Sequence, residues 1–296
     1  MANRWRHTTI VVAVFALALA LRACGIGKES FWHDEACSVG YSDNSIAEVL
    51  EDSARDVHPP LYYIGLHYWR RLCGDSDVRI RAYSLPLSLL GLLAVFLLAF
   101  DIGGWRAGLI ALVLGAVNPL SIYFAQEARM YSQGPALCAL GSWCLWRWMA
   151  AASSPPRPRA WLPWAVAYTF CASGALLTHY LSALVLTAQG LFALVWFGWR
   201  RQWLSFASYG ISTLAVVVVF LPWFSYLMQF RPTLYHTGLD WIKAPPFREY
   251  YCFLGREFFW GSFFEPGWWQ PTMVLALLVL GICLGELMRK GKRPTD

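Results

Sequence analysis

The stretch AYSLPLSLLGLLAVFLLAF, residues 82–100, decides the fold because it contains no charged side chain. A helix rises 1.5 Å per residue, so about 20 apolar residues cross the roughly 30 Å hydrocarbon core of a bilayer. The stretch has the length and the composition of a membrane-spanning helix. We therefore predict that residues 82–100 cross a membrane.

Seven further stretches of similar character predict an all-α, polytopic membrane protein of about eight transmembrane helices. The chain is 57% hydrophobic and 14% charged, whereas a soluble domain has about 25% charged residues. We interpret the span nearest the N-terminus, residues 8–23, as a retained anchor, because Arg22 and Cys24 stand where a signal-peptide cleavage site would have small residues. The other predicted spans are 8–23, 107–125, 131–146, 161–178, 181–199, 203–227 and 271–287.

Basic residues indicate how the chain is oriented. Lys and Arg are enriched in the short segments of one side and in the C-terminal tail, which contains Arg289, Lys290, Lys292 and Arg293. The positive-inside rule places both termini in the cytoplasm, and it explains the net charge of +6 without nucleic acid. Frequent Ala and Arg are typical of a GC-rich bacterial genome, so we expect a bacterial inner membrane with the active site on its outer face.

Two predicted outer segments, 25–81 and 228–270, are too long to be simple turns, and loops of this length are usually functional or structured. We expect one membrane domain over 1–296, without a soluble C-terminal domain. In the first segment, Asn44 or Ser45 can cap a short helix. After Pro59 and Pro60, a helix over 61–72 is predicted to lie in the interface plane with its aromatic side toward lipid.

Two features of the outer segments leave alternatives open. The tryptophans of the second segment, such as Trp241, could stack on sugars or form an interfacial aromatic belt. Cys24, Cys37, Cys73 and Cys252 all fall on the outer side, where disulfides form if that compartment is oxidising.

Asp34 and Glu35 stand in the sequence FWHDEA, residues 31–36, just beyond the first span. Two adjacent carboxylates above a membrane need partners, such as a metal ion, a cationic side chain or a substrate proton. A carboxylate there could be the general base for an acceptor hydroxyl. The alternative is a solvated loop that contains an acidic pair.

Asp56 and His58 begin the sequence DVHPPLYY, residues 56–63. The two prolines restrict the backbone and favour an extended segment before the helix. The pair offers a carboxylate and an imidazole to a divalent ion or to a phosphate. The alternative is that His58 only packs beside the prolines.

Arg129 is the only cation in a short outer turn that also contains Glu127 and Tyr131, and Arg81 has a similar place at the second span. Two guanidiniums could clamp a lipid phosphate, because their donors match phosphate oxygens. Arginines at helix ends also reach lipid headgroups without any further role. His179, in the turn after the fifth span, could add a ligand or a hydrogen bond, or have no role.

The order of these motifs resembles that of the GT-C glycosyltransferases. The branch in question contains the dolichyl-phosphate-mannose protein mannosyltransferases and the aminoarabinose transferases. The resemblance covers roughly residues 1–230, and the assembled order is more specific than any one motif. Its motifs are the acidic pair of residues 34–35, DVHPPLYY (56–63), RAYSLP (81–86) and PLSIYFAQEARMY (119–131).

The resemblance implies that a sugar moves from a polyprenyl-phosphate donor to a hydroxyl acceptor on a protein, lipid or glycan. It implies Asp34 as the catalytic carboxylate, with Glu35 in the second position of the pair. Asp56 and His58 would lie near the donor phosphate or a bound divalent ion, and no nucleotide cofactor is expected. Relatives commonly continue with further spans, so a partner subunit could supply the remainder. The residues expected to bind the donor phosphate are His58, Arg81, Arg129 and Tyr131.

Two other classes of protein compete with this interpretation. A transporter or flippase would place ionisable residues near the bilayer midplane, whereas the predicted spans are nearly uncharged there. A non-catalytic scaffold that binds lipid-linked sugar would have the same motifs. A transferase requires Asp34, and a scaffold does not.

Overall fold

The computed structural model describes residues 2–56, 58–153 and 158–230, and these residues form helices joined by turns, without a strand. The helix bounds confirm the all-α prediction for this part of the chain. The predicted span 271–287 and nearly all of the second outer segment lie outside the described residues. The helices are α1 Ala2–Ala23, α2 His33–Asp43, α3 Ile46–Arg55, α4 Leu61–Cys73, α5 Asp77–Arg81, α6 Ser84–Val117, α7 Pro119–Ala125, α8 Gln133–Ala152, α9 Pro158–Leu176, α10 Ser182–Trp199 and α11 Trp203–Gln229.

Four helical stretches in the described part are long and apolar enough to cross a membrane. Their composition supports an integral membrane protein. The number of about eight spans stays a prediction. The four stretches are Trp5–Ala23, Asp77–Val117, Ser182–Trp199 and Trp203–Gln229.

Helix α6 is a hairpin of two antiparallel arms rather than one straight rod. Its backbone leaves the helical conformation at Gly104, with φ 74° and ψ −169°. A β-carbon on Gly115 would lie 2.6 Å from Leu92 Cδ1, although these residues would be about 34 Å apart in a straight helix. The reversal falls where the sequence predicts a turn between the spans 82–100 and 107–125.

A buried arginine joins α1 to both arms of this hairpin. Arg22 is 0% exposed, and its guanidinium donates to Ser88 Oγ on the first arm at 2.9 Å. It also donates to the carbonyls of Ala116 at 2.9 Å and Gly115 at 3.0 Å on the second arm. Ala18 O and Ser121 Oγ accept its remaining hydrogen bonds. A cation suits this position because the last carbonyls of a helix are partly negative.

Helices α8 to α11 pack around Trp148, which is fully buried. Its ring stacks on Trp161 with the centroids 5.8 Å apart, and Phe197 and Tyr209 also contact it. The hydroxyl of Tyr209 shares a hydrogen bond of 2.9 Å with that of Tyr168. This core fixes the four helices whose ends support the site.

Helices α2, α3 and α4, which we call the platform, cover one end of the bundle. Ser45, one of the two caps that the sequence allowed, begins α3 and forms a capping box with Glu48. The amide of Leu61, at the start of α4, donates to Leu177 O beyond the end of α9 at 3.1 Å. The platform is therefore tied to the ends of the long helices.

The aromatic residues of α4 divide between the protein interior and the surface, where Tyr68 is 54% exposed. Tyr62, Tyr63 and Leu66 are 0% exposed and pack with Ala128 and Met130. The turn between α7 and α8 provides this protein surface. The packing brings α4 against the turn that contains Arg129.

Candidate active site at the platform end of the bundle

The first turn of α2 contains both members of the predicted acidic pair, and they have different surroundings. Glu35 is 1% exposed. Its carboxylate accepts from Arg81 Nε at 2.8 Å and from Arg81 Nη2 at 2.6 Å. The backbone amide of Ala128 donates to Glu35 Oε1 at 2.8 Å. Glu35 therefore lies inside the protein with three donors around it.

The other donors of Arg81 bind the chain that leads into α2. Nη1 donates to Ile26 O at 3.1 Å and to Glu29 O at 2.7 Å, and Nη2 donates to Ser30 O at 3.2 Å. The guanidinium also lies over the ring of Phe31, 4.9 Å from its centroid. A guanidinium has five N–H donors, and all five of Arg81 are used within the protein.

Asp34 faces the other way, and 36% of its side chain is exposed. Arg129 Nη2 lies 3.6 Å from Asp34 Oδ2, with the Arg129 side chain only 3% exposed. Arg129 Nη1 also donates to Asp34 O at 3.2 Å and to Ser38 Oγ at 3.3 Å. An accessible carboxylate thus lies beside a buried cation. In this arrangement the carboxylate can act as a base while the cation binds the anionic group of a ligand.

The charge of Arg129 is well supported. Burial alone would lower the pKa of its guanidinium, but Tyr63, Tyr131 and Asp34 outweigh burial, and the pKa is raised. Arg129 Nε is buried without a hydrogen-bond partner among the described residues. The side chain therefore retains both a positive charge and an unused donor.

Glu127 is a buried carboxyl group in the same turn, 6% exposed. Burial raises its pKa; the phenol of Tyr123 opposes this and Glu35 adds to it. Its Oε2 has no hydrogen-bond partner in the part of the chain that the structure describes. Its carbonyl accepts from Ser84 Oγ at 2.6 Å, which holds the turn on α6.

Asp56 and His58 are hydrogen-bonded to each other, and the backbone at Asp56, with φ −88° and ψ 7°, is not extended as the prolines led us to expect. His58 Nδ1 lies 3.0 Å from Asp56 Oδ2 and 2.8 Å from Asp56 O. Both side chains are about one-third exposed, at 28% for His58 and 36% for Asp56. A carboxylate on Nδ1 orients an imidazole and leaves its Nε2 for a ligand.

His179 and Tyr131 connect this pair to Arg129. The ring centroids of His179 and His58 are 6.4 Å apart, and those of His179 and Tyr131 are 6.3 Å apart. The ring of Tyr131 lies 5.8 Å from Arg129 Cζ. The amide of Leu181 donates to His179 Nδ1 at 3.1 Å, so the neutral ring has its proton on Nε2. The side chains thus form one continuous line, whose members in order are Asp34, Arg129, Tyr131, His179, His58 and Asp56.

The described residues include no group of three or more His, Cys, Asp or Glu side chains placed to hold a metal ion. Asp56 and His58 as metal ligands therefore stay a prediction. Mg²⁺ commonly takes one or two protein ligands and completes its shell with phosphate oxygens and water. Asp56 and His58 could therefore hold Mg²⁺ only if phosphate oxygens and water supplied the remaining ligands.

Three contributors to the site were not singled out from the sequence. Ser38 lies one helical turn after Asp34, and i, i+4 spacing could have indicated it. Tyr63 stands in the DVHPPLYY motif but is recognisable as a neighbour of Arg129 only in the structure. Ala128 acts through its backbone amide, which leaves no signature in sequence.

No protein-family model and no curated protein matches this chain. The geometry of the site and the motifs of the sequence therefore provide the basis for a functional proposal.

Proposed function

We propose that the protein is a glycosyltransferase that moves a sugar from a polyprenyl-phosphate donor to a hydroxyl acceptor. The observation on which the proposal rests is the pair formed by Asp34 and Arg129. A partly exposed carboxylate lies 3.6 Å from a buried guanidinium, and transfer from a phosphodiester needs both a base and a cation.

Asp34 is the general base in this proposal. Its carboxylate takes the proton of the acceptor hydroxyl while the acceptor oxygen bonds to the anomeric carbon of the donor sugar. The bond from that carbon to the phosphate oxygen breaks, and the electron pair leaves with the polyprenyl phosphate. Displacement by one nucleophile from the opposite face inverts the anomeric configuration.

Arg129 stabilises the leaving phosphate, because a buried guanidinium binds phosphate oxygens more strongly than one in water. His179, with its proton on Nε2, can donate a further hydrogen bond to a phosphate oxygen. His58 has its ring proton on Nδ1 toward Asp56, so its Nε2 can act as an acceptor or as a metal ligand beside the phosphate. Tyr131 borders the same line of side chains. A divalent ion held by Asp56 and His58 would add positive charge beside the phosphate.

The proposal also assigns a location. The long apolar helices fit an integral membrane protein. We propose that the platform lies on the outer face of a bacterial inner membrane, and the positive-inside pattern supports this side. A polyprenyl donor reaches the site from the surrounding lipid. The acceptor is a protein, lipid or glycan on that side, and a partner subunit can help to present it.

A panel of donors tests the proposed class. Purified protein in nanodiscs is incubated with polyprenyl-phosphate sugars, with and without divalent ions, and release of polyprenyl phosphate is measured. A nucleotide sugar is the control donor. We expect at least one polyprenyl-phosphate sugar to release its polyprenyl phosphate. We expect no sugar to be transferred from the nucleotide sugar. Sugar transfer from the nucleotide donor, or no binding of any lipid-linked donor, would contradict the proposal.

A further inference from the structure

One buried carboxylate joins the two chain segments that provide the proposed base and cation. Glu35 Oε1 accepts from Arg81 Nε and from the amide of Ala128, each at 2.8 Å. Glu35 directly follows Asp34, and Ala128 directly precedes Arg129. The contact between Glu35 and Ala128 spans 93 positions of the chain. Any shift of this carboxylate therefore moves Asp34 and Arg129 relative to each other.

Glu35 itself has no route to a substrate hydroxyl. Its side chain is 1% exposed, and its two oxygens already accept three hydrogen bonds, two of them from a guanidinium. A general base must come within about 3 Å of the proton that it removes. Asp34, with its side chain 36% exposed, meets that requirement and Glu35 does not.

Arg81 likewise has no donor left for a phosphate. Two of its five N–H groups bind Glu35, and three bind the carbonyls of Ile26, Glu29 and Ser30. Binding a donor phosphate would break one of these buried bonds. Arg129 is as buried as Arg81, with its side chain 3% exposed, but its donors are not all used. Its Nε is buried without a partner among the described residues.

We propose that Glu35 and Arg81 are positioning residues, which hold the first turn of α2 against the turn before α8 so that Asp34 and Arg129 stay in register. This inference rests on the proposed transferase function and assigns these two residues roles other than base and phosphate ligand. Such a role is effective because displacement of a catalytic group by about 1 Å can lower a rate about 100-fold.

The test compares Asp34→Asn with Glu35→Gln and Arg81→Lys in the full-length protein in nanodiscs. Asp34→Asn should abolish release of polyprenyl phosphate. Glu35→Gln and Arg81→Lys should each lower turnover about 10- to 100-fold. The remaining activity should keep the pH profile of the wild type, because Asp34 is still the base. Adding Arg129→Lys to Glu35→Gln should lower turnover by less than the product of the two single effects.

Arg70→Lys is the matched control for a buried arginine. Arg70 binds Asp43 and Val39 O in the platform and Asp75 just beyond it, and among the described residues it forms no hydrogen bond with the turn before α8. Its replacement should lower the unfolding temperature and leave turnover of the folded protein unchanged. If Glu35→Gln does not fold, Arg81→Lys tests the same pair with its charge kept.

Two results would overturn the inference while leaving the transferase in place. One is wild-type turnover in folded Glu35→Gln and Arg81→Lys. The other is a combination of two observations. Folded Glu35→Gln binds the donor normally but loses all turnover, and Arg81→Lys has an altered pH profile. Together they would make Glu35 part of the chemistry. An inactive wild type that binds no lipid-linked donor would instead remove the transferase proposal, and this inference with it.

Discussion

The guanidinium of Arg129 lies 3.6 Å from the carboxylate of Asp34, and the two side chains are 3% and 36% exposed. The cation is held inside the protein, while the carboxylate remains open to a reactant. Ser38 and the backbone of Asp34 accept further hydrogen bonds from the same guanidinium. This relationship makes separate predictions for donor binding and for chemistry.

Replacing Arg129 should weaken donor binding. A hydrogen bond to a charged group contributes about 1.5–3 kcal/mol, so Arg129→Gln should raise the Kd for polyprenyl phosphate about 10- to 100-fold. Titration of the purified protein with polyprenyl phosphate measures this change. Arg71→Gln, an exposed arginine at the end of α4, is the control and should bind as the wild type does. Equal Kd values for wild type and Arg129→Gln would contradict the proposed phosphate site.

Replacing Arg22 should destabilise the fold rather than the site. Its five hydrogen bonds join α1, both arms of α6 and α7, and a buried acceptor left unpaired costs about 1–3 kcal/mol. Arg22→Met should lower the free energy of unfolding by about 2–5 kcal/mol. Thermal unfolding in detergent measures the effect. Arg200→Met replaces an exposed arginine after α10 and should change the free energy of unfolding little. An equal effect of the two substitutions would contradict the role of Arg22 in joining these helices.

His179 should make stability depend on pH. Burial, then the charges of His58 and Arg129, lowers the pKa of His179 below its ordinary value, which is about 6.5. As the pH falls, the unfolded chain takes up this proton before the folded protein does, so the folded state loses stability. Between about pH 7.5 and about pH 5.5, the unfolding temperature of His179→Gln should fall less than that of the wild type. His33→Gln replaces an exposed histidine and should show the same pH dependence as the wild type. The same pH dependence in His179→Gln would contradict a lowered pKa of His179.

Local signals in the sequence predicted much of the architecture. The sequence allowed Asn44 or Ser45 as the cap of α3, and Ser45 is the cap that is observed. The reversal near Gly104 follows from two apolar runs with a glycine-containing turn between them. Such features depend on residue spacing and on local conformational propensity, and both can be evaluated from a single sequence.

The contacts that define the site could not be predicted in this way. Glu35 meets Arg81 across 46 positions and the amide of Ala128 across 93 positions. These contacts depend on how α2 packs against α6 and the turn before α8. Helix α4 is a related case, because its composition suits lipid and protein equally, and only the packing shows that Tyr62 and Tyr63 lie inside the protein.

Release of polyprenyl phosphate by wild type and Asp34→Asn, in single-turnover reactions with a donor that both proteins bind, tests the central claim most directly. Asp43→Asn, at the other end of α2, is the control because the Asp43 side chain is 72% exposed and forms an ion pair with Arg70 alone among the described residues. The transferase proposal predicts at least about a 100-fold loss for Asp34→Asn, the contribution typical of a general base, with unchanged donor affinity and normal release by Asp43→Asn. Equal release by wild type and Asp34→Asn would contradict the role of Asp34, and binding without release by either protein would favour a scaffold.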